Sequence, residues 1–324
     1  MTGGGGFLGG AVVRGLLARG DTVVSLARGD YPELRALGVH TVRGDLADGR
    51  SVLVAAEGCD AVLHVAAKAG LWGPAADDER SNIMGTRQVV EACRTLGIRR
   101  LVHTSTPSVV HAGGDLAGAD ESVPYAEHFT SDYPRTKAVA EREVLAAAGD
   151  ELATVALRPH LVWGPGDTQL VPRILDRARA GRLRFVGTGD ALIDTTYVDD
   201  AVAAHLCAVD RLAPGAPCSG RAYFVSSGDP RPVREVVNAI LAAAGLPAES
   251  RTVPLPVAEV AGAAVEVVWR LLRRQSDPPM TRFLARQLAT AHWFDISAAW
   301  RDLGYRPQVG LDEGFRRLAL SLDA

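Results

Sequence analysis

The sequence predicts an α/β fold: a doubly wound parallel sheet of the Rossmann kind with a smaller, mostly helical C-terminal substrate domain. Three observations predict it. Short apolar runs alternate with helical periods through the first half, the pattern of a parallel sheet covered on both faces. The chain opens on a glycine-rich turn that runs straight into an apolar-periodic helix. From Pro230 onward the pattern is mostly helical, with Pro254 and Pro256 breaking the path.

The elements follow in order. Glycines 3, 6 and 9 of Thr2-Gly3-Gly4-Gly5-Gly6-Phe7-Leu8-Gly9 fit G-x-x-G-x-x-G. Such glycines let backbone approach a pyrophosphate seated on a helix N-terminus. A flexible glycine tail is the plain alternative, but Val12, Val13, Leu16 and Leu17 follow at helical spacing up to Gly20. Only Met1 precedes Thr2, where a central buried strand is expected. The first strand therefore reads as truncated, and a few apolar residues are expected ahead of the given start. A strand at 22–27 ends on Arg28. An acid there would take the ribose hydroxyls of NAD, whereas an arginine suits the 2′-phosphate of NADP. NADP(H) is therefore favoured over NAD(H); a surface arginine is the alternative, since the chain has 33 arginines and two lysines. A strand at 39–43 leads to Gly44-Asp45-Leu46, and one at 61–65 into Ala66-Ala67-Lys68. A helix at about 78–96 carries Asn82, Gly85 and Thr86. A strand at 100–104 runs out into Thr104-Ser105-Thr106-Pro107-Ser108, placing hydroxyls where parallel sheets face their ligands. Turn chemistry would also explain them.

Thr130 or Ser131 then caps a helix that tolerates Pro134 in its first turn. It carries Tyr133-Pro134-Arg135-Thr136-Lys137. In so arginine-rich a chain, a retained lysine marks a place for a compact, titratable ammonium. Four residues apart, Tyr133 and Lys137 share a helix face. An ammonium beside a phenol favours phenolate and lowers a pKa that starts near about 10. That suits proton transfer at an alcohol oxygen. Alone the motif is weak, since a solvated helix face would also display it. Lys68 reads either as a partner for cofactor phosphates or a substrate carboxylate, or as an exposed loop charge. His64, His103, His111 and His160 lack metal-ligand spacing and read as packing or pocket residues; no metal is expected.

Residues 1–165, rejoined by about 195–227, form the expected dinucleotide domain, and 166–194 with 228–324 the substrate domain. The helix from Val257 is apolar over most of its surface, which argues burial or contact with an apolar ligand; an ordinary core or dimer face would do the same. Glu259 and Glu266 interrupt it, so no transmembrane span is expected. A net charge of -3 with scattered arginines, clustered only at Arg270, Arg273 and Arg274, leaves no nucleic-acid footprint. Cys59, Cys93, Cys207 and Cys218 are widely spaced and no signal peptide opens the chain, which fits a reducing cytoplasm.

With these pieces in place, the chain resembles the extended short-chain dehydrogenase/reductases, in the 3β-hydroxysteroid dehydrogenase branch. The matching segments are TGGGGFLG at 2–9, GDL at 44–46, HVAAK at 64–68, Asn82 with Gly85-Thr86, TSTPSV at 104–109, YPRTK at 133–137, LRPHLVWGPGD at 157–167, YVDD at 197–200 and WFDISAAWRDLGYRP at 293–307. Within that branch it is most similar to bacterial reductases of 2-alkyl-3-oxoalkanoates in olefin synthesis. The resemblance implies that Tyr133 exchanges the proton and Thr106 hydrogen-bonds the reacting oxygen. Lys137 would hold the nicotinamide ribose and keep the phenol acidic. Gly3, Gly6, Phe7, Leu8 and Gly9 would surround the pyrophosphate, and Asp45 and Leu46 the adenine. Ala66, Ala67, Pro159 and His160 would line the ribose and nicotinamide, with Arg28, Lys68, Asn82 and Thr104 completing the cofactor set. A hydrophobic small-molecule ketone is the expected substrate. Sterol dehydrogenases, nucleotide-sugar epimerases and a dinucleotide-binding regulator without turnover remain alternatives. A homodimer through 78–97 and 132–148 is left open.

Overall fold

The computed structural model describes residues 1–324 except Leu71, Ala112, Thr130, Gln275 and Ala324. Thr130, one of the two expected helix caps, thus lies outside the described residues. Across the main sheet the strands run His40–Arg43, Val24–Ala27, Val62–His64, Arg100–Thr104, Ala153–Pro159 and Arg221–Val225, all parallel. Met1 and Thr2 stand in the slot between the second and third of these. Thr2 bridges Leu26 on one side and His64 on the other. Its N–H donates to the Leu63 carbonyl at 3.0 Å, and the Leu26 N–H donates to the Met1 carbonyl at 3.0 Å. Strand order reverses at this slot, which makes it the switch point where open α/β sheets hold their ligands.

The apolar runs form these strands because both sheet faces are covered. Ala153–Pro159 is buried at every position. On one face Val12, Val13 and Leu16 of the Phe7–Ala18 helix pack with Ala204 and Ala208 against Leu63, Val102 and Val155. On the other, Val52, Val89, Cys93 and Val144 pack against Leu26, Val62 and Leu101. A separate cluster gathers helices Leu170–Arg179, Val233–Ala243 and Leu311–Leu322 around Trp163, which stacks on Phe315 at 4.6 Å.

Two local expectations need correcting. The helix expected at 78–96 is not uniform: a π-helical turn, Glu79–Met84, lies between Ala75–Asp78 and Gly85–Thr95. Asn82 in that turn bonds both backbone groups of Lys68, and the Thr86 hydroxyl donates to the Asn82 carbonyl at 2.6 Å. Pro256 does not break the path either. It sits in the first turn of the Leu255–Leu271 helix, where no N–H is needed. That helix buries only Ala258, Gly262 and Glu266, while Val257, Val260, Val267, Val268 and Leu271 are exposed. Gly262 permits the contact, because a Cβ there would lie 2.7 Å from the Thr281 carbonyl carbon. Among the described residues, no helix is long and apolar enough to cross a membrane.

Candidate active site

The glycine turn forms a cradle at the switch point. Gly3 has φ +74°, and a Cβ on it would lie 2.8 Å from the Ala66 backbone. A Cβ on Gly9 would lie 1.9 Å from the Gly3 carbonyl oxygen. Gly6 caps the Phe7–Ala18 helix without any side-chain acceptor, leaving that helix end open to an anion. The Gly6 N–H donates to the Gly3 carbonyl at 3.0 Å. Phe7 and Leu8 form the first turn, each packed against a different cluster. A Cβ on Gly6 would meet only the Gly3 carbonyl oxygen, at 3.5 Å, and a helix N-terminus this bare fits a dinucleotide pyrophosphate.

Arg28 is exposed just past the Val24–Ala27 strand, and the Arg43 Nε donates to the Arg28 carbonyl at 3.2 Å. The nearby acid Asp30 is engaged by Arg35. Asp45 accepts from the Ala47 N–H and from Arg80 at 3.0 Å, and these bonds hold its carboxyl below the usual range. Leu46 packs where Gly85 leaves room. Tyr31, not singled out in the sequence, lays its ring against Gly5: a Cβ there would come within 2.2 Å of it. A tyrosine after a strand end gives no local signal of that contact.

At the carboxyl ends of the sheet, Ser131 is the N-cap of the Asp132–Ala146 helix and makes no side-chain cap bond. Tyr133 lines a cavity of about 420 Å³ with Trp72, Asp78, Trp269, Arg270 and Phe283 among its walls. Burial pushes the phenol up to about 12, with the neighbouring Thr106 hydroxyl opposing the shift and the Asp78 charge adding to it. This reverses the acidic shift expected from the pair of Tyr133 and Lys137. The ammonium is buried and turned inward, donating to the Thr104 carbonyl at 2.7 Å and meeting His103 Nε2 at 3.1 Å. Burial lowers its own pKa to about 8. Thr106 Oγ lies 3.0 Å from Ser108 Oγ. The Thr104 hydroxyl pairs with His205 at 2.7 Å instead of facing the crevice, so Thr104 meets Lys137 through its carbonyl alone.

Lys68 bonds Asp78 at 2.8 Å and is not a lone loop charge. Asp78, absent from the sequence reading, is 3 % exposed, and burial raises its carboxyl against the pull of Lys68. Ala66 touches the cradle and its N–H donates to Thr2 Oγ at 3.2 Å, with Ala67 next in the same segment. Pro159 ends its strand, and His160 follows, bonding the Asp194 carbonyl through Nδ1 at 2.7 Å and stacking edge-on against His292 at 4.9 Å.

A glycine cradle at the switch point and a phenol at the strand ends define a nucleotide-dependent oxidoreductase of the Rossmann class. The model of the 3-beta hydroxysteroid dehydrogenase/isomerase family matches residues 1–257, and the chain belongs to that family. A 2-alkyl-3-oxoalkanoate reductase of Stenotrophomonas maltophilia is 54% identical over 99% of this chain and 98% of its own length. A protein of the same name from Shewanella oneidensis is 48% identical over 99% of this chain and 85% of its own. Among solved structures, a UDP-glucose 4-epimerase of Thermus thermophilus in complex with NAD is 26% identical. It aligns over 100% of this chain and 98% of its own with a TM-score of 0.73.

Proposed function

We propose that the chain is an NADP(H)-dependent ketoreductase converting a long-chain 2-alkyl-3-oxoalkanoate to the 3-hydroxy acid. The observation that carries the reading is the Tyr133 phenol on the wall of the cavity, one turn ahead of Lys137, whose ammonium donates to the Thr104 carbonyl. The names of the two relatives supply the substrate class. A bound nicotinamide supplies or accepts the hydride, with Gly3, Gly6, Gly9, Ala66 and Pro159 holding the cofactor. Tyr133 is a protonated phenol at neutral pH, with burial pushing its pKa further up, and this is the form that gives a proton to the oxygen of the ketone as it is reduced. Thr106 steadies that oxygen. Lys137, anchored by the Thr104 carbonyl, supports the ribose. NADP over NAD rests on Arg28 with Arg43 behind it, and on the engagement of Asp30 by Arg35.

The test follows absorbance at the nicotinamide band with NADPH and a branched 3-oxo acid, beside a steroid ketone. Tyr133→Phe should lose about 10²–10⁴-fold in turnover while binding NADPH as before. A variant as fast as the parent would remove Tyr133 from its role. Turnover of the steroid alone would overturn the substrate.

A further inference from the structure

The cavity beside Tyr133 carries a surplus of cations. Its lining acids Asp78, Asp132 and Glu266 are each already matched. Lys68 bonds Asp78 and Arg135 bonds Asp132. Arg282 bonds Glu266 through Nη2 at 2.9 Å and through its backbone N–H at 2.8 Å. Arg270, Arg273 and Arg274 line the same cavity, and among the described residues none of them has a carboxylate partner within salt-bridge distance. Their arrangement is held from several sides. The Arg270 guanidinium lies 5.6 Å from the Trp72 ring centre, and that of Arg274 lies 4.9 Å from Trp269. Trp72 Nε1 donates to the Arg274 carbonyl at 3.0 Å, tying this corner to the loop after the third strand.

Arg273 adds a second, independent sign. The Leu255–Leu271 helix closes with the Arg274 N–H donating to the Trp269 carbonyl at 3.0 Å. This six-residue closure places Arg273 at φ +47°, the left-handed position where glycine is usual. An arginine therefore stands at the rim of the cavity in a conformation that L side chains rarely adopt.

We infer that Arg270, Arg273 and Arg274 form the subsite that receives the substrate's carboxylate, with Trp72 and Trp269 flanking it. The inference rests on the ketoreductase reading and deepens it. Guanidinium groups clasp carboxylates with two parallel bonds, and a 3-oxo acid carries its carboxylate two carbons from the carbonyl. A ketone at Tyr133 therefore puts the anion within the same cavity.

A 3-oxo acid loses carbon dioxide on standing, so the assay runs in the oxidative direction with NADP⁺. The substrates are a 2-alkyl-3-hydroxy acid and its methyl ester, identical but for the charge. In the reaction the carbinol hydrogen leaves as hydride to the nicotinamide and the hydroxyl proton passes by way of Tyr133 to solvent; NADPH, the 3-oxo compound and a released proton result. The parent should favour the acid by at least about tenfold in kcat/KM, the value of one tenfold step in binding. Arg270→Gln and Arg273→Gln should raise KM for the acid about tenfold or more, with kcat and the ester's constants little changed, and Arg270→Lys should recover part of the loss. The three side chains are exposed, so these variants should fold. Equal use of acid and ester by the parent, or equal losses on both substrates in the variants, overturns the subsite. Failure to produce NADPH from either substrate instead overturns the ketoreductase reading.

Discussion

Gly9→Ala tests the cradle most directly. In the native turn a Cβ on residue 9 would lie 1.9 Å from the Gly3 carbonyl oxygen and 2.6 Å from its carbon. Both obstacles are backbone, so no rotamer change relieves them. The Gly3 carbonyl must retreat by about 1 Å, and a misplacement of that size commonly costs about 10²-fold at a binding or reacting centre. It has little room: Gly3 is already pressed against Ala66 and accepts the Gly6 N–H at 3.0 Å. The affinity for NADPH should therefore fall about 100-fold, or about 2.7 kcal/mol. Gly149→Ala is the control, because its Cβ would meet nothing within 4 Å. Quenching of protein fluorescence on NADPH titration measures both, with circular dichroism checking that the variants are folded. A folded Gly9→Ala protein binding NADPH within threefold of the parent would refute the reasoning.

Arg28→Ala should weaken NADPH about tenfold while leaving NADH unchanged, since only one carries the 2′-phosphate; equal effects on both would retire the NADP preference. Arg158→Leu leaves Glu141 charged and buried without the bond at 2.5 Å that it now shares with Arg158, and should cost about 3–5 kcal/mol in urea unfolding; a loss under 1 kcal/mol would contradict this. Acid should destabilise the fold through its histidines. Burial lowers His64 to about 3 and His205 and His292 to about 4, and holds His103 and His160 well below the ordinary value. The unfolded chain binds these protons near pH 6.5 and the folded chain does not. Their stabilising contribution is whole above pH 6.5 and falls away as pH drops toward those values, by up to about 1.4 kcal/mol per unit for each group. A urea midpoint constant from pH 7 to 5.5 would contradict it.

Much of the architecture was legible from local pattern. The strand expected at 100–104 is Arg100–Thr104, and the run expected at 61–65 holds Val62–His64, buried at every position, as a covered parallel sheet requires. That Tyr133 and Lys137 sit one turn apart on a single helix was legible too, because it depends on spacing alone. What the lysine does there was not. Its partners His103 and Thr104 lie 34 and 33 residues away, and burial, which decides the phenol's pKa, is a property of the packed chain. The same holds for Lys68, whose partner Asp78 lies in the separate helical turn Ala75–Asp78. The long C-terminal helix shows the converse limit. Its composition suggested burial, yet it packs through a stripe containing Gly262 and shows its valines to solvent. Composition reports how apolar an element is, not which side finds a neighbour.

The bond from Trp72 to the Arg274 carbonyl spans 202 residues of sequence. It means that the chamber beside the phenol has no owner in the chain: one wall comes from Trp72, Asp78 and Tyr133, the other from the end of the Leu255–Leu271 helix and Phe283. A change of pitch at the far end of the Leu255–Leu271 helix would thus be felt as altered substrate fit, with the hydride chemistry and its glycine turn untouched. Selectivity in this molecule can drift by mutation far from the reacting oxygen while the machinery for reduction stays fixed.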